Sequence, residues 1–178
     1  FRVSEAEKPL KIYFFTRTAE DTYTVSAMVE GNGTAIYRVD YVDLNGSGCK
    51  EVVVSWQMST GVYLLGAYSL EEAMVRSLQY AASAPAGSAS AQGLPDREAL
   101  RATEWMTTVY DNYALYDLDQ DTRTELAVVR VDKAGTNSAV DLYGWRDGSF
   151  MVRASAPLSM GISSVEKNGV ETNFLKED

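Results

Sequence analysis

Alternating acidic residues in the segment 117–129 (DLDQDTRTELAVV) mark the part of the chain whose side chains could do chemistry. Four carboxylates occupy positions 1, 3, 5 and 9 of what we name the second acidic loop (residues 117–125): Asp117, Asp119, Asp121 and Glu125. Alternate side chains in a tight turn can converge on one point, as they do in oxygen-rich loops that bind Ca²⁺. The spacing therefore predicts a calcium site made of these four carboxylates and the backbone carbonyl of Arg123 at position 7.

An earlier segment, DLNGSGCKEVVVS at 43–55, has the same layout and contains the first acidic loop (residues 43–51). Its side chains at the ligand positions form a weaker candidate metal set: Asp43, Asn45, Ser47 and Glu51. An EF-hand is excluded for both loops, because position 12 is valine (Val54 and Val128) instead of an acid and a strand-like run follows. An alternative reading is that both loops are hydrogen-bonded turns, with Asp and Asn side chains accepting their own backbone amides.

Composition excludes several classes of function. The sequence has no histidine, so it contains neither a histidine-based catalytic triad nor a histidine-bearing zinc site. The single cysteine, Cys49, excludes an internal disulfide. A net charge of −9 argues against nucleic acid as a partner. No apolar run approaches the roughly 20 residues of a membrane span.

Runs of β-branched and aromatic residues surround both loops and recur along the chain. We predict one mainly β domain (1–178) of antiparallel four-stranded repeats, arranged as a partial or small propeller-like array. The predicted parts are whole units at about 36–78 and 112–154, partial units at 10–30 and 161–178, and a flexible insertion rich in small residues at 81–98.

Residues 69–80 favour a helix when they are considered alone, because Ser69 and Glu72 have the spacing of a capping box. Internal similarity favours a strand instead. Aligning Tyr68 with Trp145 places MVRS at 74–77 against MVRA at 151–154. In the second unit that segment follows Asp147-Gly148, a hairpin signature. We therefore predict a strand at 73–78.

The loop pattern resembles the FG-GAP or VCBS type of repeat found in integrin α-subunit propellers, where a D-x-D-x-D-G-x-x-[D/E] loop joins two strands of a blade. The resemblance implies propeller blades, loops that often bind Ca²⁺, and a secreted or cell-surface location. The chain departs from the family pattern at Gln120 and Thr122, and at Ser47 in the first loop. Its general character also resembles a bacterial surface lipoprotein, which implies a lipid anchor in a segment absent from this chain.

These observations lead to two hypotheses about function. The first is a non-enzymatic extracellular or cell-surface interaction module whose partner is a protein or a glycan. The second is a polysaccharide hydrolase that uses two carboxylates of the acidic loops. The repeated loops and the missing histidine favour the first hypothesis. Open sheet edges would also allow self-association between copies of the chain.

Overall fold

The computed structural model describes residues 9–31, 33–59, 61–83, 98–158, 162–167 and 170–175. Within these ranges the protein is mainly β, with eleven strands, antiparallel wherever they pair in sheets, and one helix. The elements are β1 (Leu10–Ala19), β2 (Thr22–Gly31), β3 (Ala35–Val42), β4 (Glu51–Ser59), β5 (Val62–Ser69), α1 (Glu71–Ser83), β6 (Thr103–Tyr116), β7 (Glu125–Val131), β8 (Asn137–Arg146), β9 (Ser149–Pro157), β10 (Ile162–Lys167) and β11 (Val170–Leu175). The antiparallel, mainly β fold expected from the sequence is confirmed.

Seven of the described strands form one sheet in chain order, from β3 to β9. Two separate hairpins, β1–β2 and β10–β11, precede and follow it. Most of the insertion predicted at 81–98 lies outside the described residues, and its first three residues are the end of α1. No helix in the described ranges is long and apolar enough to cross a membrane.

Strand β6 is shared between two halves of the sheet. Its first part, from Thr103 to Tyr110, pairs with β5, and its second part, from Asn112 to Tyr116, pairs with β7, while Tyr110 pairs with both strands. The register shifts between these parts, which leaves Asp111 as an extra residue in the β6–β7 pairing. A bulge of this kind bends a strand and increases its twist. The sheet therefore divides at Asp111 into a first half-sheet (β3–β5 and 103–110) and a second half-sheet (112–116 and β7–β9).

The two half-sheets share one hydrophobic core, which shows that the sheet folds back on itself. Side chains from both halves form this cluster: Leu44, Val53, Leu65, Ala67, Met106, Tyr110, Leu126, Val128 and Phe150. Trp105 of β6 contacts both Trp145 and Phe150, with ring centroids 5.0 and 5.8 Å apart. Burial of these apolar surfaces drives the half-sheets together.

Polar contacts across the fold fix the bend. The Tyr113 hydroxyl in β6 donates a hydrogen bond to Asp40 in β3, although β4 and β5 lie between these strands in the sheet. The Arg38 guanidinium binds the same carboxylate at 2.9 Å and lies 5.1 Å from the centre of the Tyr113 ring. Burial raises the pKa of Tyr113, and the hydrogen bond to Asp40 raises it further, so the phenol stays a neutral donor. Close to the bulge, the Ser55 and Tyr110 hydroxyls share a buried hydrogen bond.

The first half-sheet is the middle layer of the protein, since its other face is covered by the β1–β2 hairpin. The second cluster includes Ala27 and Val29 of β2 together with Val52, Val54 and Trp56 of β4. Residues 51–56 of β4 are therefore buried on both faces, which explains why three consecutive valines (52–54) stand there instead of an alternating pattern.

The strand predicted at 73–78 is wrong, because these residues lie in α1. The backbone N–H of Met74 donates to the Leu70 carbonyl at 2.9 Å, and Glu72 pairs with Arg76 one turn later. Ala73 is fully buried in the core beneath the hairpin. A strand would leave these i→i−4 hydrogen bonds and the i,i+4 ion pair unmade, so the local helix signals outweigh the similarity to a distant segment.

The alignment behind that strand prediction is also wrong. Tyr68 lies opposite Val52 in the first unit, and Tyr143 lies opposite Leu126 in the second. Tyr68 therefore corresponds to Tyr143 instead of Trp145. The position beside β5 that the predicted strand would occupy is filled by the first part of β6.

Replacing Gly31 tests how tightly the hairpin packs on the first half-sheet. A Cβ at Gly31 would lie 2.5 Å from the indole ring of Trp56. We expect Gly31→Ala to lower the free energy of unfolding by roughly 1–3 kcal/mol through overpacking. In a Trp56→Leu background the same change should cost clearly less, as urea denaturation of the four proteins would show. An equal cost in both backgrounds would mean that the indole is not the obstacle.

Candidate functional site

The two acidic loops have the same backbone conformation. Positions 4 and 6 adopt positive φ in both: 74° and 82° at Gly46 and Gly48, and 61° and 74° at Gln120 and Thr122. Glycine takes up this conformation without strain, whereas a β-branched residue such as Thr122 does so at a cost. The second loop therefore keeps the geometry of the first despite losing both glycines, and other contacts must offset the strain.

The first of these contacts comes from the aspartate at position 1. Asp43 accepts the backbone N–H groups of Gly46 at 2.7 Å and Gly48 at 2.8 Å. Asp117 likewise accepts the N–H groups of Asp121 at 3.1 Å and Thr122 at 3.0 Å. Each carboxylate thus satisfies two amides that the loop cannot pair elsewhere, which holds the turn closed.

The glutamate at position 9 closes each loop from the strand that follows it. Glu51 accepts the Leu44 N–H at 2.8 Å, and Glu125 accepts the Leu118 N–H at 2.8 Å. Both carboxylates are buried, with 0% of Glu51 and 2% of Glu125 exposed. These contacts are the ones expected of hydrogen-bonded turns, the alternative reading of the sequence.

The remaining glutamate oxygen has a different partner in each loop. In the first loop, Glu51 Oε1 accepts the side-chain amide of Asn45 at 3.1 Å. In the second loop, Glu125 Oε1 accepts Nη1 of Arg153 at 3.2 Å, and the same nitrogen lies 3.3 Å from Asp119 Oδ2. Sequence reasoning did not identify Arg153. The available signal is the MVRA segment, which the sequence comparison aligns with MVRS at 74–77, a segment that lies in α1.

Three acids of the second loop come close enough for a cation. One carboxylate oxygen from each of Asp117, Asp119 and Glu125 lies within 4.8 Å of the others. Asp121 lies outside this group: its oxygens accept the Arg123 N–H at 2.9 Å and face the Arg123 guanidinium at 3.6 Å. The structure therefore brings together three of the four predicted carboxylates, and N–H donors already bind all three.

In the first loop, side chains of the weaker metal set accept backbone N–H groups of the loop itself. Asn45 accepts the Ser47 N–H at 2.8 Å, and Ser47 Oγ accepts the Cys49 N–H at 3.2 Å. These side chains support their own backbone. The pKa of Glu51 is raised to about 7: burial raises it most, the hydrogen bond from Leu44 lowers it, and the neighbouring Asp43 and Glu71 raise it.

The loops lie side by side although they are far apart in sequence. The Thr124 N–H donates to the Asp43 carbonyl at 3.0 Å. A Cβ at Gly46 would lie 2.8 Å from Nε of Arg123, so the arginine side chain packs directly on that glycine. The fold at Asp111 brings the far end of β6 back to the first loop and produces this contact.

Comparison with known proteins gives no relative from which function can be transferred. No protein-family model matches the chain, and neither a curated protein nor a solved structure matches it significantly. The resemblance to FG-GAP and VCBS repeats therefore depends on the loop residues alone.

The pH dependence of stability should reveal the buried Glu51. Since its pKa rises from 4.5 to about 7 on folding, its contribution is complete below pH 4.5 and is lost as pH rises to about 7. We expect Glu51→Gln to remove this loss, so that the variant gains on the order of 1–3 kcal/mol relative to wild type between these pH values. Guanidinium denaturation across this range measures it. Glu20→Gln, in an exposed turn, is the control, and an equal gain there would contradict the assignment.

Proposed function

We propose that the protein is a non-enzymatic extracellular or cell-surface interaction module whose acidic loops are structural. The observation that carries this proposal is a contrast between two regions. The loop carboxylates named above bind N–H donors of the protein itself, whereas large aromatic side chains on β1–β3 are open to solvent. A partner, either a protein or a glycan, would contact these aromatic side chains.

The exposed aromatic side chains lie on the hairpin and on the edge strand of the sheet. Phe15 is 61% exposed and Tyr23 is similarly open. Phe15 alternates with Phe14, which packs against the core beneath the hairpin. On β3, Tyr37 is 66% exposed and Tyr41 stacks on Phe14 with ring centroids 5.9 Å apart. Exposed aromatic side chains of this kind are typical of binding surfaces, because they combine a large apolar area with a polar end.

The burial of Glu125 weighs against the alternative, a carboxylate-based polysaccharide hydrolase. Such an enzyme places two carboxyl groups on either side of the bond that it cleaves, with access for substrate. Glu125 is almost fully buried and is bound to Leu118 and Arg153. Asp117 is bound to two backbone amides of its own loop. These contacts favour a structural role for the two acids.

Three further parts of the proposal come from the resemblance and from the sheet edges. The resemblance to FG-GAP and VCBS repeats supports an extracellular or cell-surface location, and the resemblance to a surface lipoprotein supports a lipid anchor. For the calcium prediction only Asp117, Asp119 and Glu125 remain as candidate ligands, and Arg153 already binds two of these three acids. Strands β3 and β9 end the seven-stranded sheet, and either edge can pair with a second copy of the chain.

The proposal is tested by measuring binding and hydrolysis on the same probes. Soluble xylan, galactomannan and starch, and immobilised fibronectin and gelatin, would be offered to the wild type and to a Phe15→Ser/Tyr37→Ser variant. We expect at least one probe to bind and the double variant to lose roughly tenfold or more in affinity, since aromatic anchors dominate such surfaces. Val152→Ser, at an exposed position of β9, is the control.

The same samples distinguish the hydrolase. We expect no release of reducing sugar from any of the polysaccharides. Release that disappears in Asp119→Asn would establish the hydrolase instead. Binding that the aromatic double variant leaves unchanged would remove the aromatic surface from the proposal.

A further inference from the structure

Arg153 occupies the place in the second acidic loop where a bound cation would be expected. Its Nη1 atom lies 3.3 Å from Asp119 and 3.2 Å from Glu125, two of the three acids in the clustered group. Hydrogen bonds between a guanidinium and a carboxylate are charge-assisted and stronger than neutral ones. The positive charge that these two carboxylates need is therefore supplied from within the chain.

The path of the Arg153 side chain is built into the sheet. Arg153 is on β9 and Glu125 begins β7, so the side chain must cross β8 to reach the loop. It crosses at Gly144, where a Cβ would lie 2.6 Å from Cδ of Arg153 and 3.3 Å from Cγ of Glu125. A side chain at position 144 would block this path, which gives a second and independent way to displace the arginine.

The first acidic loop has the same turn but no arginine bound to its glutamate. There the corresponding glutamate oxygen accepts the neutral amide of Asn45. The structural counterpart of Arg153 in the first half-sheet is Trp105, the extra residue in the β5–β6 pairing, so no arginine is present at that place. The loop with more carboxylates is thus the one that receives a cationic side chain.

We propose that Arg153 is the resident cation of the second acidic loop: it neutralises Asp119 and Glu125 where the resemblance would place Ca²⁺, and the loop folds without metal. Removing the arginine leaves a buried glutamate without its cationic partner beside two other acids. A divalent cation then becomes the group that can restore the balance of charge. The intact protein is independent of calcium, and the protein without this arginine is not.

Thermal melting with and without calcium tests this inference. The samples are wild type, Arg153→Met, Gly144→Ala and the control Arg76→Met, each in EDTA and in millimolar CaCl₂, with NaCl at matched ionic strength. We expect calcium to move the Tm of wild type and Arg76→Met by less than about 1 °C. Arg153→Met and Gly144→Ala should melt several degrees lower in EDTA, and calcium should raise their Tm by roughly 5 °C.

Two outcomes would overturn the inference. One is a calcium shift in wild type as large as in Arg153→Met, because Arg153 would then not hold the place of the ion. The other is a failure of calcium to raise the Tm of either displaced variant, because the acids would then not form a cation site. If Arg153→Met does not fold in EDTA, its refolding yield with and without calcium gives the same comparison. None of these measurements involves a partner, so their result is independent of the proposed function.

Discussion

The fold at Asp111 is the constraint on which the rest of the structure depends. One extra residue in β6 turns the sheet over, so that two half-sheets share a core and the acidic loops meet. Tyr113 and Asp40 then pair across two intervening strands, with Arg38 over the tyrosine ring. These contacts are polar and directional. They therefore fix the angle between the two half-sheets, which apolar burial alone would leave variable.

The acidic loops show how carboxylates can stabilise a turn by accepting hydrogen bonds from its backbone. A buried carboxylate costs free energy unless hydrogen bonds stabilise its charged form. Here the amides of a tight turn supply such bonds, which offset part of this cost, although burial still raises the pKa of Glu51 to about 7. The two loops differ in the partner of the second glutamate oxygen: Glu51 accepts a side-chain amide, and Glu125 accepts a guanidinium. The two loops therefore share a backbone conformation although the partner of the glutamate is neutral in the first loop and positively charged in the second.

The parts of the structure that local sequence determines were predictable. The turns at 43–51 and 117–125 depend on residues within nine positions of each other, so their shape follows from spacing. The helix at Glu71–Ser83 was also visible locally, and it was missed because similarity to MVRA outweighed the capping signal. The pairing of 103–110 with β5 could not be read from sequence, since a long connection separates these strands. Arg153 was missed for a related reason: its role depends on Gly144 in a neighbouring strand, not on its own segment.

The shared strand β6 also has a consequence for the order in which the protein folds. The strands from 112 to 157 are joined by short turns, so their contacts are local and the entropy of closing each loop is small. The first half-sheet needs the much more distant segment 103–110 as its last strand. During synthesis β3 to β5 emerge first, but the free edge of β5 is covered only after β6 has been made. The contacts of the later half are therefore more local in sequence than those of the earlier half, whose last strand comes from residues 103–110.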